Sequence, residues 1–163
     1  MTYKIISTFD GLTETWSLSE LSRSLKLNSI LAELNSDGTL IDSWPLVHET
    51  LVTFAVEFAD YALLNYTKKK IPEAETCIAL TRKWLENHDS VSNEELTAAA
   101  DADADATNAA DAAANAAYAA AAAAINAAYA ADDAANAAGK NREAELIRQG
   151  QFIVDYLKSS SSK

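Results

Sequence analysis

A chain of 163 residues is one domain, or one domain with a small appendage, and can bury roughly 70% of its unfolded surface without covalent staples. Its single cysteine, Cys77, excludes an internal disulfide framework and fits a reducing cytosol. Thirteen Lys+Arg against 24 Asp+Glu give a formal charge of −11, the wrong sign for a general binder of nucleic acid or of an anionic membrane, and the opening MTYKIISTFDG lacks the apolar run of a secretory signal.

Residues 1–42 read as a small α/β appendage. Tyr3, Ile5, Ser7 and Phe9 alternate with Lys4, Ile6 and Thr8 as a short strand does. Asp10-Gly11 signals a tight turn, because glycine accepts the positive φ of a type I′ turn, and Thr13, Thr15 and Trp16 suit the returning strand. Ser17 with Glu20 spells a capping box, opening a helix with Leu18, Leu21 and Leu25 on one face. Ile30, Leu31 and Leu34 extend that helical pattern until Asp37-Gly38 stops it. A winged helix-turn-helix fits the outline, but the would-be recognition segment carries no base-reading Arg, Asn or Gln cluster, and three basic groups (Lys4, Arg23, Lys26) face six acidic ones.

From Trp44 onward the pattern is helical. Pro45 suits the first turn of a helix over Trp44–Tyr66, where its missing N–H has no partner anyway. Leu51, Phe54, Ala55, Phe58 and Ala62 make its apolar stripe, and Val52, Val56 and Leu63 widen it, so burial on two sides is expected. Lys68, Lys69 and Lys70 follow, complementing the negative helix end. After Ile71-Pro72 a helix over about Glu73–Asn87 carries Ala74, Cys77, Ile78, Thr81, Trp84 and Leu85 at helical spacing, with Trp84 read as core. Ser92 and Glu95 form a second capping box, Gly139 stops the alanine segment, and a last helix over about Asn141–Leu157 turns Leu146, Ile153 and Leu157 inward. The expected fold is therefore mainly α: a helical bundle (43–157) built around an alanine-rich central helix or helix pair, with an N-terminal β-hairpin and short helices (1–42) and a disordered tail (158–163).

Between Ala98 and Ala138 most positions are alanine, the best helix former, and the exceptions are ordered. Glu94, Thr97, Asp101, Asn108, Asp111, Asn115, Tyr118, Ile125, Tyr129, Asp132 and Asn136 follow an alternating three-four spacing, with Asp105, Asn126 and Asp133 one turn beyond members of that row. A polar stripe belongs in water, so the methyl-bearing sides should face the core and let helix axes approach closely. An unbroken helix from Asn93 to Ala138 would extend roughly 70 Å. Asn108 can cap a new helix, whereas the continuous spacing argues for one; both arrangements stay open. Calcium is not expected, because Ala106 and Ala112 replace the turn glycine and the bidentate glutamate of an EF-hand loop. A membrane span over 112–131 is opposed by two Asn and acidic flanks, and an ice-binding face by the lack of regularly spaced Thr.

The stripe has two features that folding does not need. No Lys or Arg occurs from Trp84 to Gly139, and an acidic stripe of Glu94, Asp101, Asp105, Asp111 and Asp133 can imitate a row of backbone phosphates, although charge for solubility explains it too. Tyr118, Ile125 and Tyr129, flanked by Asn115, Asn126 and Asp132, resemble an interface hot spot unless another element covers them. No enzyme, cofactor or metal is expected: His48 and His88 are isolated in sequence, Cys77 lies on an apolar stripe, and no phosphate loop or nucleophile elbow is present.

The stretches Cys77–Leu85 (CIALTRKWL), Val91–Leu96 (VSNEEL), the Ala/Asp/Asn/Tyr run and Glu145–Gly150 (ELIRQG) together resemble an alanine-rich helical family of immunity-type proteins common in tailed-phage genomes. The similarity covers about residues 70–157, and Lys83-Trp84-Leu85 and Glu94-Glu95-Leu96 carry most of it. It implies an all-helical bundle and protein neutralisation, and brings no catalytic residues. The expectation is a cytoplasmic, phage-encoded protein that blocks a host or toxin protein by stoichiometric occlusion, without direct contact to nucleic acid or membrane. An acidic DNA mimic inhibiting a nuclease or other DNA-handling enzyme is the alternative, and a self-assembling helical module the third class.

Overall fold

The computed structural model describes residues 2–66, 72–99 and 127–163. The described chain is mainly helical, with a small four-stranded antiparallel sheet at its N-terminal end. β1 (Thr2–Ser7) and β2 (Thr13–Trp16) form the expected hairpin, its turn held by Asp10 Oδ1 accepting from the Leu12 N–H at 3.1 Å. Phe9, read above as part of the first strand, belongs to that turn and is exposed. Ser17 opens a short helix, α1 (Leu18–Leu21), where Glu20 Oε2 accepts from the Ser17 N–H at 3.0 Å.

The expected continuation of that helix is replaced by strand. After one turn of 3-10 helix (Ser22–Ser24), Asn28 takes a φ of 57° and the chain enters β3 (Ser29–Leu34), then β4 (Leu40–Leu46), giving the order β2-β1-β3-β4. The reason is local: β3 has a neighbour on each side and buries Leu31, Ala32, Glu33 and Leu34 in succession. A central strand of this kind loses the polar alternation that distinguishes strand from helix in a short apolar run. Pro45 likewise sits in an edge strand, not in a first helical turn; at an edge its missing N–H costs no ladder bond. Beside it Asp42 Oδ1 accepts from the Ser43 N–H at 2.8 Å, so both devices blunt the edge against pairing with another chain.

The 42/43 position expected to separate two units falls inside β4, and the sheet shares one core with the helices. Tyr3, Ile5, Leu31, Trp44 and Leu46 from its inner face join Leu21 and Leu25, Phe54 and Phe58 of α2 (His48–Asn65), Cys77 and Ile78 of α3 (Pro72–Glu86), and Ile153 and Leu157 of the last helix. α2 buries the stripe read from its spacing and, with Val52 and Val56, a second side. Residues 93–99 form α4, with a full capping box: the Ser92 N–H donates to Glu95 Oε2 at 2.8 Å and the Glu95 N–H to Ser92 Oγ at 3.1 Å. α5 (Ala127–Ala137) ends before Gly139, and α6 (Arg142–Ser161) closes the fold.

The tail expected to be disordered from 158 is largely helical, because α6 continues to Ser161 and Lys158 is anchored. Its ammonium lies 2.9 Å from Oε2 and 3.1 Å from Oε1 of Glu33, a carboxylate fully buried in the central strand, and this contact holds the ammonium above its usual range. Lys158→Met would leave that carboxylate uncompensated. Because the Lys158 side chain is 44% exposed, water relieves part of the penalty. The expected loss is about 2 kcal/mol in urea unfolding, against nearly none for Lys158→Arg; equal stabilities for the two variants would refute this.

Candidate interaction surface

α5 is the longer described part of the alanine segment, and its orientation follows from what each side can bury. Ala130, Ala131, Ala134 and Ala135 have no exposure at all, while Asn136 is exposed and Asp132 and Asp133 are half-buried. The methyl faces meet α2, the 3-10 turn at Ser22–Ser24 and α6. Small side chains permit that three-sided approach, and each methyl removed from water contributes about 0.8 kcal/mol.

The acids on this helix are not all free charges. Arg142, at the start of α6, places its guanidinium 2.6 Å from Asp132 Oδ1 and donates through Nε to Asn136 Oδ1 at 2.9 Å. Asp133 has its carboxyl pushed above the usual range, first by burial and then by Asp132 next to it. A carboxyl raised in the folded state favours folding at low pH and withdraws that contribution as pH rises through its folded value. Asp133→Asn should therefore raise Tm at pH 7 by a degree or two, and the gain should vanish near pH ~3. A loss of Tm at pH 7 would contradict this.

Behind the helix lies a polar network that sequence reasoning missed. Gln149 Nε2 donates to the Ala131 carbonyl and to Glu145 Oε1, each at 3.1 Å, and Ser22 Oγ donates to Gln149 Oε1 at 2.8 Å. Glu145, 1% exposed, also accepts from the Tyr66 hydroxyl at 2.7 Å and from Arg148 Nε and a terminal nitrogen at 2.8 and 2.7 Å. The Arg148 guanidinium stacks 3.4 Å above the Tyr61 ring. A signal was present: Glu145 and Gln149 stand eight and four residues before Ile153, on the inward stripe that ends at Leu157. Their polarity concealed them.

His48 and His88, isolated in sequence, meet at Trp84. His88 stacks on it with centroids 4.2 Å apart and His48 approaches edge-on at 5.5 Å. Among the described residues no group of three or more His, Cys, Asp or Glu side chains converges on one point.

Of the other residues singled out above, Glu94 is exposed on α4. Asp101, Asp105, Asp111, Asn115, Tyr118, Ile125 and Asn126 lie outside the described residues, as do Lys68, Lys69, Lys70 and the question of a break near Asn108. Tyr129 belongs to the first turn of α5, and its side chain is likewise outside the description. No helix among the described residues is long and apolar enough to cross a membrane. Comparison with known proteins found no matching family model, curated protein or solved structure.

Proposed function

We propose that this is a non-enzymatic binding protein that blocks a partner protein by stoichiometric occlusion, using the decorated row of the alanine segment as its contact surface. The supporting observation is the orientation of α5: four alanines of one turn-and-a-half are sealed in the core while Asn136, a member of the three-four row, is exposed. A row that keeps this spacing presents Asn115, Tyr118, Ile125 and Tyr129 together, in a bundle built around the alanine-rich helix or helix pair. The resemblance to phage immunity-type proteins agrees with neutralisation of a host or toxin protein in the cytoplasm.

Contact through the aromatic cluster is preferred to DNA mimicry because Asp133, the member of the acidic stripe on α5, is half-buried, so this end of the stripe presents less exposed charge. The test is capture from host lysate at low and high salt, with the wild type and with Tyr118→Ala/Tyr129→Ala. Occlusion predicts one stoichiometric partner, retained at ~0.5 M salt and lost with the double variant at unchanged Tm. Capture that survives the double variant but disappears with salt and with Asp101, Asp105 and Asp111 changed to Asn would replace this reading with mimicry.

A further inference from the structure

A small polar cavity lies at the turn end of the β1–β2 hairpin, on the inner side of the sheet. Strand register sets Ser7 opposite Ser29 and Ile5 opposite Glu14, so Ile5, Ser7, Glu14 and Ser29 share one face. With Asp10, Leu12 and Lys26 they line a space of about 180 Å³, in which Ile5 and Ser29 are the buried members and Leu12 is exposed. That volume is below the ~300–1,000 Å³ of sites for drug-sized ligands, so an occupant has only a few heavy atoms.

The charges of the lining form one opposed pair. Lys26, in the link between the 3-10 turn and β3, brings its ammonium 2.7 Å from Glu14 Oε2, and the two side chains are 54% and 44% exposed. A pair so open to water contributes ~1 kcal/mol or less to folding, and separating it costs correspondingly little. Asp10 is committed to the turn instead: its carboxyl is held below the usual carboxylate range first by the Leu12 amide and then by the Ser7 hydroxyl. Among the described residues Lys26 is the one cation of the lining, and Glu14 is the acid that meets it.

This arrangement selects a charge type. A monoanion on Lys26 leaves Glu14 without its counterion, and a monocation on Glu14 does the same to Lys26. A zwitterion leaves neither alone, since its carboxylate accepts from Lys26 while its ammonium donates to Glu14, and one ion pair becomes two. We propose that the cavity binds a small zwitterionic α-amino acid, no larger than serine, inserted between Lys26 and Glu14. Its side chain rests on Ile5 and covers Leu12, which the free protein leaves in water.

The experiment is a ¹H–¹⁵N titration of the full chain with L-alanine. Acetate and methylamine serve as the two single-charge halves, and L-leucine as the oversized homologue. The expected result is shifts of the Ser7, Glu14, Lys26 and Ser29 amides that saturate with L-alanine by ~20 mM. Acetate, methylamine and L-leucine should each bind more weakly by about tenfold or more. Lys26→Met and Glu14→Gln should each weaken L-alanine by about tenfold. Both should keep Tm within ~2 °C of wild type, because the pair they break is half exposed, and this separates lost binding from lost folding. No saturation by ~20 mM, acetate or methylamine matching L-alanine, L-leucine binding as well, or indifference to both variants would each overturn the proposal.

Discussion

Replacing Gly150 by alanine will destabilise the protein by about 3 kcal/mol and lower its Tm by roughly 10 °C, although the same change in an exposed helix stabilises by about 1 kcal/mol. Gly150 is in the interior of α6, fully covered, where that helix crosses α1. A Cβ there would overlap the Leu18 carbonyl oxygen and stand 3.0 Å from its carbonyl carbon and 3.1 Å from Leu18 Cδ1. The first two are backbone atoms and cannot rotate aside, so α6 must move away from α1 and open the packing around Leu21 and Leu146. One consequence distinguishes this from ordinary overpacking. Leu18→Ala should fail to rescue Gly150→Ala, since it removes the side-chain contact and leaves the carbonyl. Thermal unfolding of both variants by circular dichroism is the measurement, and a Tm within about 2 °C of wild type for Gly150→Ala would show that the helices do not approach so closely.

Removing the carboxylate of Glu145 should cost about 3 kcal/mol, the lower end of the range for breaking a buried charge pair. The lower end applies because Arg148 is 30% exposed and can turn to solvent, whereas the Tyr66 hydroxyl and the Gln149 amide lose an acceptor in the interior. Glu145→Ala combined with Arg148→Ala should recover part of the loss, since no guanidinium then remains without its anion. Tyr66 provides a spectroscopic readout. Burial, and then its hydrogen bond to Glu145, push the phenol above its ordinary range. A phenol raised in the folded state contributes stability that is complete below its unfolded pKa of about 10 and disappears only as pH climbs through the higher folded value. In Glu145→Ala the ultraviolet titration of Tyr66, isolated by difference against Tyr66→Phe, should shift back toward the ordinary range. An unchanged titration together with an unchanged urea midpoint would refute the role given to Glu145.

Helices were legible where a periodic stripe or a local start signal was present, although the start of α2 was placed too early, at Pro45. The Leu51–Ala62 stripe locates α2, the Ala74–Thr81 spacing locates α3, and Ser92 with Glu95 opens α4 by a bond between neighbours three residues apart. The inward turn of the alanines in α5 is also a matter of composition: a side with nothing but methyl groups has no claim on water, and its opposite bears Asp132 and Asn136. Residues 29–34 were misread for a physical reason. SILAEL is buried by partners that come from residues 2–7 and 40–46, and pairing at that separation leaves no trace in a six-residue window. Gly150 did leave one, since a glycine inside a helix otherwise loses about 1 kcal/mol to alanine and so asks for a close neighbour; which neighbour was not readable.

Taken alone, the amino-acid order determined what short-range forces govern: a mainly helical chain, where most of its helices start and stop, a strongly acidic charge, and an alanine segment with one decorated row. The tertiary structure decided everything that depends on distant residues meeting. It joined β3, which read as helix, and β4, whose Trp44-Pro45 read as a helix start, to the expected hairpin, and it buried Glu33 against Lys158 and Glu145 against Tyr66 and Arg148. The Glu33–Lys158 and Glu145–Tyr66 contacts gain their energy from low-dielectric approach across 125 and 79 positions of sequence, and such energies exist only once the chain has closed.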